Sequence, residues 1–140
     1  LLLVGEGEGR TQVQEKAKSL GLEGKVIFTG VRNDVADLLQ AMDVFVMPSI
    51  FEGLPVVGVE AQANGLPCLF SNTISDEVLL TNRAEMMSLK CQPREWADKI
   101  MNMRREKSED TQTQLAEKGY DIQIEVKKLQ ECYVQMYNRK

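Results

Sequence analysis

The sequence predicts a Rossmann-like α/β domain, in which a parallel sheet has helices on both faces and a helical tail follows at the C-terminus. Three observations predict this class. Short apolar runs alternate with stretches of helical spacing over residues 1–89, a pattern typical of a parallel sheet covered on both sides. From Pro93 onward the spacing is helical. The chain has 140 residues, 43% of them apolar, which fits one domain with its own core.

The first elements predicted are a strand, a helix and a second strand. Residues 1–4 are apolar and end at a glycine-rich turn. Residues 11–20 have helical spacing, and Gly21 is placed where a helix commonly stops. Residues 25–29 form the next short apolar run. A strand followed by a helix and another strand is the unit from which parallel sheets are built.

The middle of the chain predicts a helix, a strand and a second helix. Asn33 or Asp34 can cap the first helix, and residues 43–47 form the strand. Pro55 suits the first position of the second helix, which Gly65 should end. The face of this helix predicted to point inward is Val56, Val59 and Ala63.

The remaining sequence predicts two strands and then three helices. The strands are residues 68–70 and 86–89, and Pro93 opens the first of the helices. Leu115 belongs to the second, and the polar stretch 104–113 before it is predicted to be a solvated helix junction. The last helix has one apolar face, made by Val126, Leu129, Tyr133 and Met136.

Composition excludes several classes of function. With 17 Lys and Arg against 21 Asp and Glu, the net charge is −4, which argues against a nucleic-acid-binding surface. No apolar run approaches the ~20 residues that span a bilayer, and no signal peptide is visible. The three cysteines are widely spaced and indicate reduced thiols. There is no histidine, so Ser-His-Asp and Cys-His mechanisms are excluded within this chain, as is a histidine-based metal site.

The glycine-rich turn 5–9 is similar to a dinucleotide-binding fingerprint, but it lacks the third glycine. The fingerprint needs glycines at relative positions one, three and six, which are Gly5, Gly7 and Arg10 here. That third glycine allows close packing of helix and strand at the pyrophosphate. A tight turn from strand to helix is therefore favoured over an NAD site. Because the turn follows a parallel strand, a position near a ligand stays open.

Two carboxylates, Glu52 and Glu60, lie eight positions apart around a predicted helix start. The first amides of a helix lack intrahelical acceptors and, with the helix dipole, suit a diphosphate. Glu60 would lie about 7–8 Å along the axis, where its carboxylate can accept two hydrogen bonds from a ribose diol. Glu52 would face a sugar beyond the phosphates. The alternative is that Glu52 caps the helix and Glu60 is a surface residue.

Several stretches together resemble one enzyme family. They are LLVGEG (2–7), KVIFTG (25–30), DVFVMPS (43–49), FEGLP (51–55), EA (60–61) and GLP (65–67). The chain resembles the C-terminal, nucleotide-binding domain of retaining family-4 glycosyltransferases, which have the two-domain GT-B fold, and among them the bacterial exopolysaccharide-type members. The resemblance implies that residues 1–140 form a single donor-nucleotide-binding domain, one half of a GT-B fold and a fragment of a longer protein. The start at Leu1, without an initiator Met, predicts a fragment too.

The resemblance also implies roles for individual residues. Glu52 would be the first glutamate of an E-x7-E motif, contacting the donor sugar as the catalytic residue, and Glu60 the second, holding the ribose. Val31 and Arg32 would approach the base. The main chain that would bind sugar and diphosphate is that of Gly53, Leu54, Pro55, Val56 and Val57. No metal and no cofactor are expected.

The chain departs from the family at one turn. Many members have a Gly-Gly turn followed by Glu after the strand at 68–70, whereas residues 73–77 here are TISDE. The role of Glu77 is therefore open. The family's Arg and Lys for the diphosphate lie upstream of this sequence, as does the acceptor-binding N-terminal domain.

The function implied is donor binding within a transferase. The parent enzyme would move a sugar, most readily from a UDP-sugar, to a cell-surface polysaccharide or glycolipid with retention, and the fragment alone would be inactive. A cytoplasmic location is expected, with peripheral contact at the inner membrane face, through the N-terminal domain, left open. Two alternatives remain: a binding-only nucleotide or scaffold module, and a glycoside hydrolase, whose carboxylates must flank one bond ~5–9 Å apart.

Overall fold

The computed structural model describes residues 1–104 and 111–139. The strands are β1 (Leu2–Val4), β2 (Ile27–Gly30), β3 (Phe45–Met47), β4 (Cys68–Ser71) and β5 (Ala84–Met87). The helices are α1 (Arg10–Ser19), α2 (Val35–Gln40), α3 (Val56–Ala63), α4 (Pro93–Asn102), α5 (Thr111–Glu117) and α6 (Ile122–Asn138), with a short 3-10 helix at Asp76–Val78. The predicted α/β class with parallel strands and a C-terminal helix is confirmed. Most of the polar stretch 104–113 lies outside the described residues.

The chain divides into two compact units, Leu1–Val35 and Ala36–Lys140. In the first unit, β1 and β2 pair in parallel, with Leu2 opposite Ile27. Helix α1 ends as predicted at Gly21, which has a φ of 65° and donates its amide to the carbonyl of Lys18 at 2.9 Å. A residue in the left-handed conformation commonly follows a helix, because it lets the next amides donate to the last carbonyls.

The second unit contains a three-stranded parallel sheet in the order β3-β4-β5. The sequence predicts one sheet for the whole chain, whereas the described strands pair into two. The central strand β4 is buried at every residue. Strand β5 begins two residues before the predicted 86–89, because Ala84 pairs with Cys68 and extends the ladder. Alanine and glutamate are weak strand formers. Ala84 and Glu85 can therefore be recognised as strand residues only from their pairing with β4.

Helix α3 packs on β4 through a different face from the one predicted. Its buried residues are Gly58, Ala61 and Gln62, while Val56 is 68% exposed. The prediction that Val56, Val59 and Ala63 face inward was therefore wrong for Val56 and Ala63, which are exposed, and Val59 is only half-buried. A Cβ on Gly58 would lie 3.0 Å from Cε1 of Phe70 and 3.2 Å from Cγ2 of Val78. The helix approaches the strand so closely that the face containing glycine packs on β4. The most apolar face of the helix does not.

Gln62 is fully buried and fixes α3 to the chain before β5. Its Nε2 donates to the carbonyls of Gly58 at 3.0 Å and Val78 at 2.8 Å. Its Oε1 accepts the amides of Leu80 and Thr81, both at 3.0 Å. A buried amide with all its groups paired stabilises one arrangement of the elements around it.

Of the C-terminal helices, α5 buries Leu115, whereas α4 buries no residue. Helix α4 begins with Pro93 and a capping box, in which the amide of Gln92 donates to Glu95 at 2.7 Å. Helix α6 begins at Asp121, whose carboxylate accepts the amide of Gln123 at 2.8 Å. No residue of α6 is buried. Among the described residues no helix is long and apolar enough to cross a membrane.

Candidate functional site

The loop between β3 and α3, residues 48–55, lies at the carboxyl edge of the three-stranded sheet. It follows Met47, the last residue of β3, which is paired with Phe70 near the end of β4. In open α/β sheets, ligands bind outside the carboxyl ends of the strands. The predicted site is therefore at the edge where this class of fold places its ligands.

The start of α3 presents main-chain amides beyond this loop. Pro55 has extended backbone (φ −73°, ψ 109°) and is the N-cap, so its prediction as the first helical residue was wrong by one position. Its carbonyl accepts the amides of Gly58 at 2.9 Å and Val59 at 3.4 Å. The amides of Val56 and Val57 precede this ladder, as expected for the first turn of a helix. Pro55 has no N–H, so Val56 supplies the first amide of the helix start.

Glu60 lies on the exposed side of α3, one turn after these amides. It is exposed, and four residues separate it from Val56, which is about 6 Å along a helix axis. The buried face formed by Gly58, Ala61 and Gln62 points the other way, toward β4. A carboxylate near a helix start and free of the core can accept hydrogen bonds from a bound diol.

Glu52 lies in the loop and is half-buried. Within the part of the chain that the structure describes, no hydrogen bond joins its carboxylate to the start of α3, whose N-cap is a proline without a side-chain cap. The cap alternative for Glu52 is therefore not supported. Glu52, the helix start and Glu60 lie along the continuous segment 52–60. Phe51, next to Glu52, is 83% exposed.

The first unit holds the other predicted contacts, Val31 and Arg32. Val31 is 73% exposed. Arg32 donates to both carboxylate oxygens of Asp34, with Nε 2.7 Å from Oδ1. The hydrogen bond from Arg32 lowers the pKa of Asp34 below its ordinary value. The carboxylate of Asp34, just before α2, thus accepts hydrogen bonds from Arg32. This bidentate pair holds the guanidinium of Arg32 in one orientation.

The glycine-rich turn 5–9 is a tight connection from β1 to α1, as favoured from the sequence. Gly5 (φ 122°) donates its amide to the carbonyl of Gly30 at 2.9 Å, and Gly30 has a φ of 69°. Arg10, which stands where a dinucleotide site needs its third glycine, forms an ion pair with Glu6. A Cβ on Gly30 would lie 2.9 Å from Oε1 of Glu6. This pair lies close to the end of β2, where the positive φ of position 30 favours glycine.

Sequence reasoning missed the residues that hold the site in place. Gly58 and Gln62 fix α3 against β4 and the 3-10 helix, and the signal that could have found Gln62 is an amide inside an otherwise apolar helix. Ser71 and Thr73 were not recognised as contacts of the loop. Their hydroxyls both donate to the carbonyl of Ser49, that of Thr73 at 2.8 Å. Where many family members have a Gly-Gly turn, this chain thus has a turn with polar contacts.

The three cysteines, Cys68, Cys91 and Cys132, are free thiols. Burial raises the pKa of the Cys68 thiol to about 12. A thiol with so high a pKa is protonated at neutral pH and is a poor nucleophile. No group of three or more Cys, Asp or Glu side chains placed to hold a metal occurs in residues 1–104 and 111–139.

Curated relatives cover almost the whole chain. EpsF of Bacillus subtilis (strain 168) is 39% identical over 141 residues, which is 95% of this chain and 36% of EpsF. The UDP-Gal:alpha-D-GlcNAc-diphosphoundecaprenol alpha-1,3-galactosyltransferase of Escherichia coli is 29% identical over 96% of this chain and 36% of its own length. The chain therefore spans about a third of the length of these two relatives.

Solved structures support the fold. Anabaena HepE, solved in complex with UDP, matches 96% of this chain and 40% of its own chain with a TM-score of 0.77 at 20% identity. The same protein in complex with UDP-glucose matches with a TM-score of 0.72 at 24% identity. Residues 1–106 match the family described as "Glycosyl transferases group 1". Since that match covers well over half of the residues, the chain belongs to the group 1 glycosyl transferases.

Proposed function

We propose that residues 1–140 are the donor-nucleotide-binding domain of a longer transferase, which moves a sugar from a UDP-sugar to a polysaccharide or glycolipid acceptor with retention. The observation that carries the proposal is the exposed start of α3, where the amides of Val56 and Val57 precede the helix ladder and Glu60 follows one turn later. The family and the names of its relatives support it. A galactosyltransferase that uses UDP-Gal and a protein solved with UDP-glucose are among them.

Each group of the segment has a role in this proposal. The helix-start amides would hold the diphosphate and stabilise its charge as the sugar leaves. Glu60 would accept hydrogen bonds from the ribose hydroxyls, and Glu52 would contact the sugar. Val31 and Arg32 would approach the base. Neutralising cations and the acceptor site would come from the rest of the parent protein, so the 140-residue chain alone should not turn over a nucleotide sugar.

Calorimetric titration of the full-length parent with UDP, with UDP-glucose and with glucose tests the proposal. Preference for UDP and UDP-glucose over glucose is the expected result. Binding of glucose alone would favour a glycoside hydrolase, and binding of none would favour a scaffold module. Retention is tested separately, by recording the anomeric configuration of the product by NMR at early times. The cytoplasmic location and a peripheral membrane contact stay predictions.

A further inference from the structure

Two hydroxyl groups donate to one carbonyl near the start of the loop predicted to bind the sugar. The Thr73 hydroxyl donates to the carbonyl oxygen of Ser49 at 2.8 Å, and the Ser71 hydroxyl donates to the same oxygen. The two hydroxyl oxygens are also 3.1 Å apart. Both lone pairs of the Ser49 carbonyl are thus occupied. We call this group, Ser49 with Ser71 and Thr73, the hydroxyl clamp.

The clamp is attached to a rigid part of the sheet. Ser71 is the last residue of β4, is fully buried and pairs with Met87 of β5. The next amide, that of Asn72, donates to the carbonyl of Met87 at 3.0 Å. Thr73 follows directly, so its position is set by this ladder. The clamp therefore fixes Ser49, in the loop after β3, relative to the end of β4.

Few other contacts hold the first half of the loop. Among hydrogen bonds of the described residues, those that reach residues 49–54 from outside the loop all end on the carbonyl of Ser49. Ile50 and Phe51 are 81% and 83% exposed, so apolar packing adds little there. Glu52 lies three residues after Ser49. The path of the chain from β3 to Glu52 thus depends on the clamp, while the buried Pro55 holds the other end of the loop at α3.

We propose that Thr73 and Ser71 are positioning residues for donor-sugar recognition, which act by fixing the loop that carries Glu52. The inference rests on the proposed function and goes beyond it, because it assigns a role to residues that do not touch the donor. The proposal distinguishes two parts of the site by the contacts that hold them. The loop with Glu52 depends on the clamp, whereas α3 is fixed independently by Gly58 and Gln62.

The two parts should therefore respond differently to substitution. Thr73→Val keeps the shape of the side chain and removes the donor, whereas Thr73→Ser keeps the hydroxyl. In the full-length parent, Thr73→Val should weaken UDP-glucose binding about two- to fivefold, and Ser71→Ala combined with Thr73→Val about tenfold. UDP affinity should change by less than about twofold, since diphosphate and ribose contact α3. Thr73→Ser should behave as wild type.

Calorimetry with UDP and UDP-glucose measures the selective loss, and UDP-galactose serves as the sugar probe if the parent prefers it. Ser19→Ala is the matched control, because Ser19 donates to a main-chain carbonyl at 2.8 Å on the exposed end of α1. It should alter neither affinity. A merely structural role would lower both affinities together, along with the melting temperature.

The outcomes separate the two proposals. Equal losses for UDP and UDP-glucose, no loss at all, or a Thr73→Ser variant as weak as Thr73→Val would overturn the positioning role and leave the proposed function standing. A wild-type parent that binds no nucleotide sugar would overturn both. A loss confined to the sugar-bearing ligand, restored by Thr73→Ser, supports the clamp.

Discussion

Glu60 is exposed on α3 opposite the face that packs on β4, so its carboxylate is not needed for the core. In the full-length parent, Glu60→Ala should weaken UDP binding by about 1.5–3 kcal/mol, which is roughly ten- to a hundredfold. The physical reason is the loss of hydrogen bonds from the ribose diol to a charged acceptor. Glu60→Gln, which keeps one acceptor oxygen, should lose less. Calorimetry measures both.

Glu131→Ala is the control for this prediction, because Glu131 is an exposed carboxylate on α6. It should bind UDP as the wild type does. UDP affinity unchanged in a folded Glu60→Ala protein would rule out the ribose role.

Cys68 makes the stability of the chain sensitive to alkaline pH. Its pKa is raised by burial from 9.0 to about 12, so between these values the unfolded chain loses the thiol proton while the folded chain keeps it. The folded state then binds more protons, and its stability falls as pH rises, by up to about 1.4 kcal/mol per pH unit. Below pH 9 the contribution is fully present. Denaturant unfolding of the chain from pH 8 to 11 should show this loss.

Cys68→Ala should have a shallower alkaline slope, because that position then has no thiol to ionise. Cys132→Ala, which removes an exposed thiol, should keep the wild-type slope. Equal slopes for all three proteins would show that other groups account for the alkaline loss.

At the level of the elements, Gln62 joins α3 to the segment that leads into β5. Gln62→Leu keeps a similar volume but leaves the amide of Thr81 without its partner. The Leu80 amide and the Val78 carbonyl each lose one of two bonds and keep the bond to each other at 3.0 Å. An unpaired buried group costs roughly 1–3 kcal/mol, so the free energy of unfolding should fall by about that amount. Urea denaturation measures it. Gln12→Leu, an exposed change on α1, should stay within about 0.5 kcal/mol.

The types and order of these elements were predictable, because helical spacing and short apolar runs are local signals. The glycines that end α1 and α3 were predicted for the same reason: Gly21 and Gly65 have φ of 65° and 73°. The buried face of α3 was not, since it depends on how closely the helix approaches Phe70. Likewise the early start of β5 depends on pairing with Cys68. Both are decided by neighbours distant in sequence.

For the candidate site, motif spacing predicts the segment with Glu52 and Glu60, whose contacts with a ligand stay a prediction. The contacts that hold this segment in place could not be predicted. Motif spacing identifies residues that contact a ligand. Hydroxyls such as that of Thr73 carry no such pattern, because any Ser or Thr near a free carbonyl can donate to it. The sequence marks Thr73 only as part of the stretch that replaces the family's Gly-Gly turn.

At the scale of the whole molecule, α6 leaves an apolar face uncovered. The stripe predicted on this helix is exposed, with Leu129 at 55%, Tyr133 at 65% and Met136 at 61%. Exposed apolar area of this kind tends to be buried by association. The 140-residue chain by itself should therefore associate as its concentration rises, which sedimentation velocity would detect, and hydrogen exchange of residues 122–137 should slow in parallel.

A variant with Leu129→Lys and Tyr133→Lys should stay monomeric. Gln135→Lys with Asn138→Lys adds the same charge away from the stripe and should associate like the wild type. Strong protection of residues 122–137 from hydrogen exchange, independent of concentration, would contradict the prediction that this face is uncovered.

The contact between Gly58 and Phe70 makes the two positions dependent on each other during evolution. Gly58→Ala alone should cost about 1–3 kcal/mol, because its methyl group would lie 3.0 Å from the ring. With Phe70→Leu already present the contact with the ring is removed, while Cγ2 of Val78 stays 3.2 Å away. A double-mutant cycle should therefore show a favourable coupling of about 1 kcal/mol. Gly7→Ala, which has no neighbour within 4 Å, should instead add to Phe70→Leu without coupling. A side chain at position 58 would therefore cost a lineage less stability after the ring at position 70 had been replaced than before, so one order of the two substitutions is favoured.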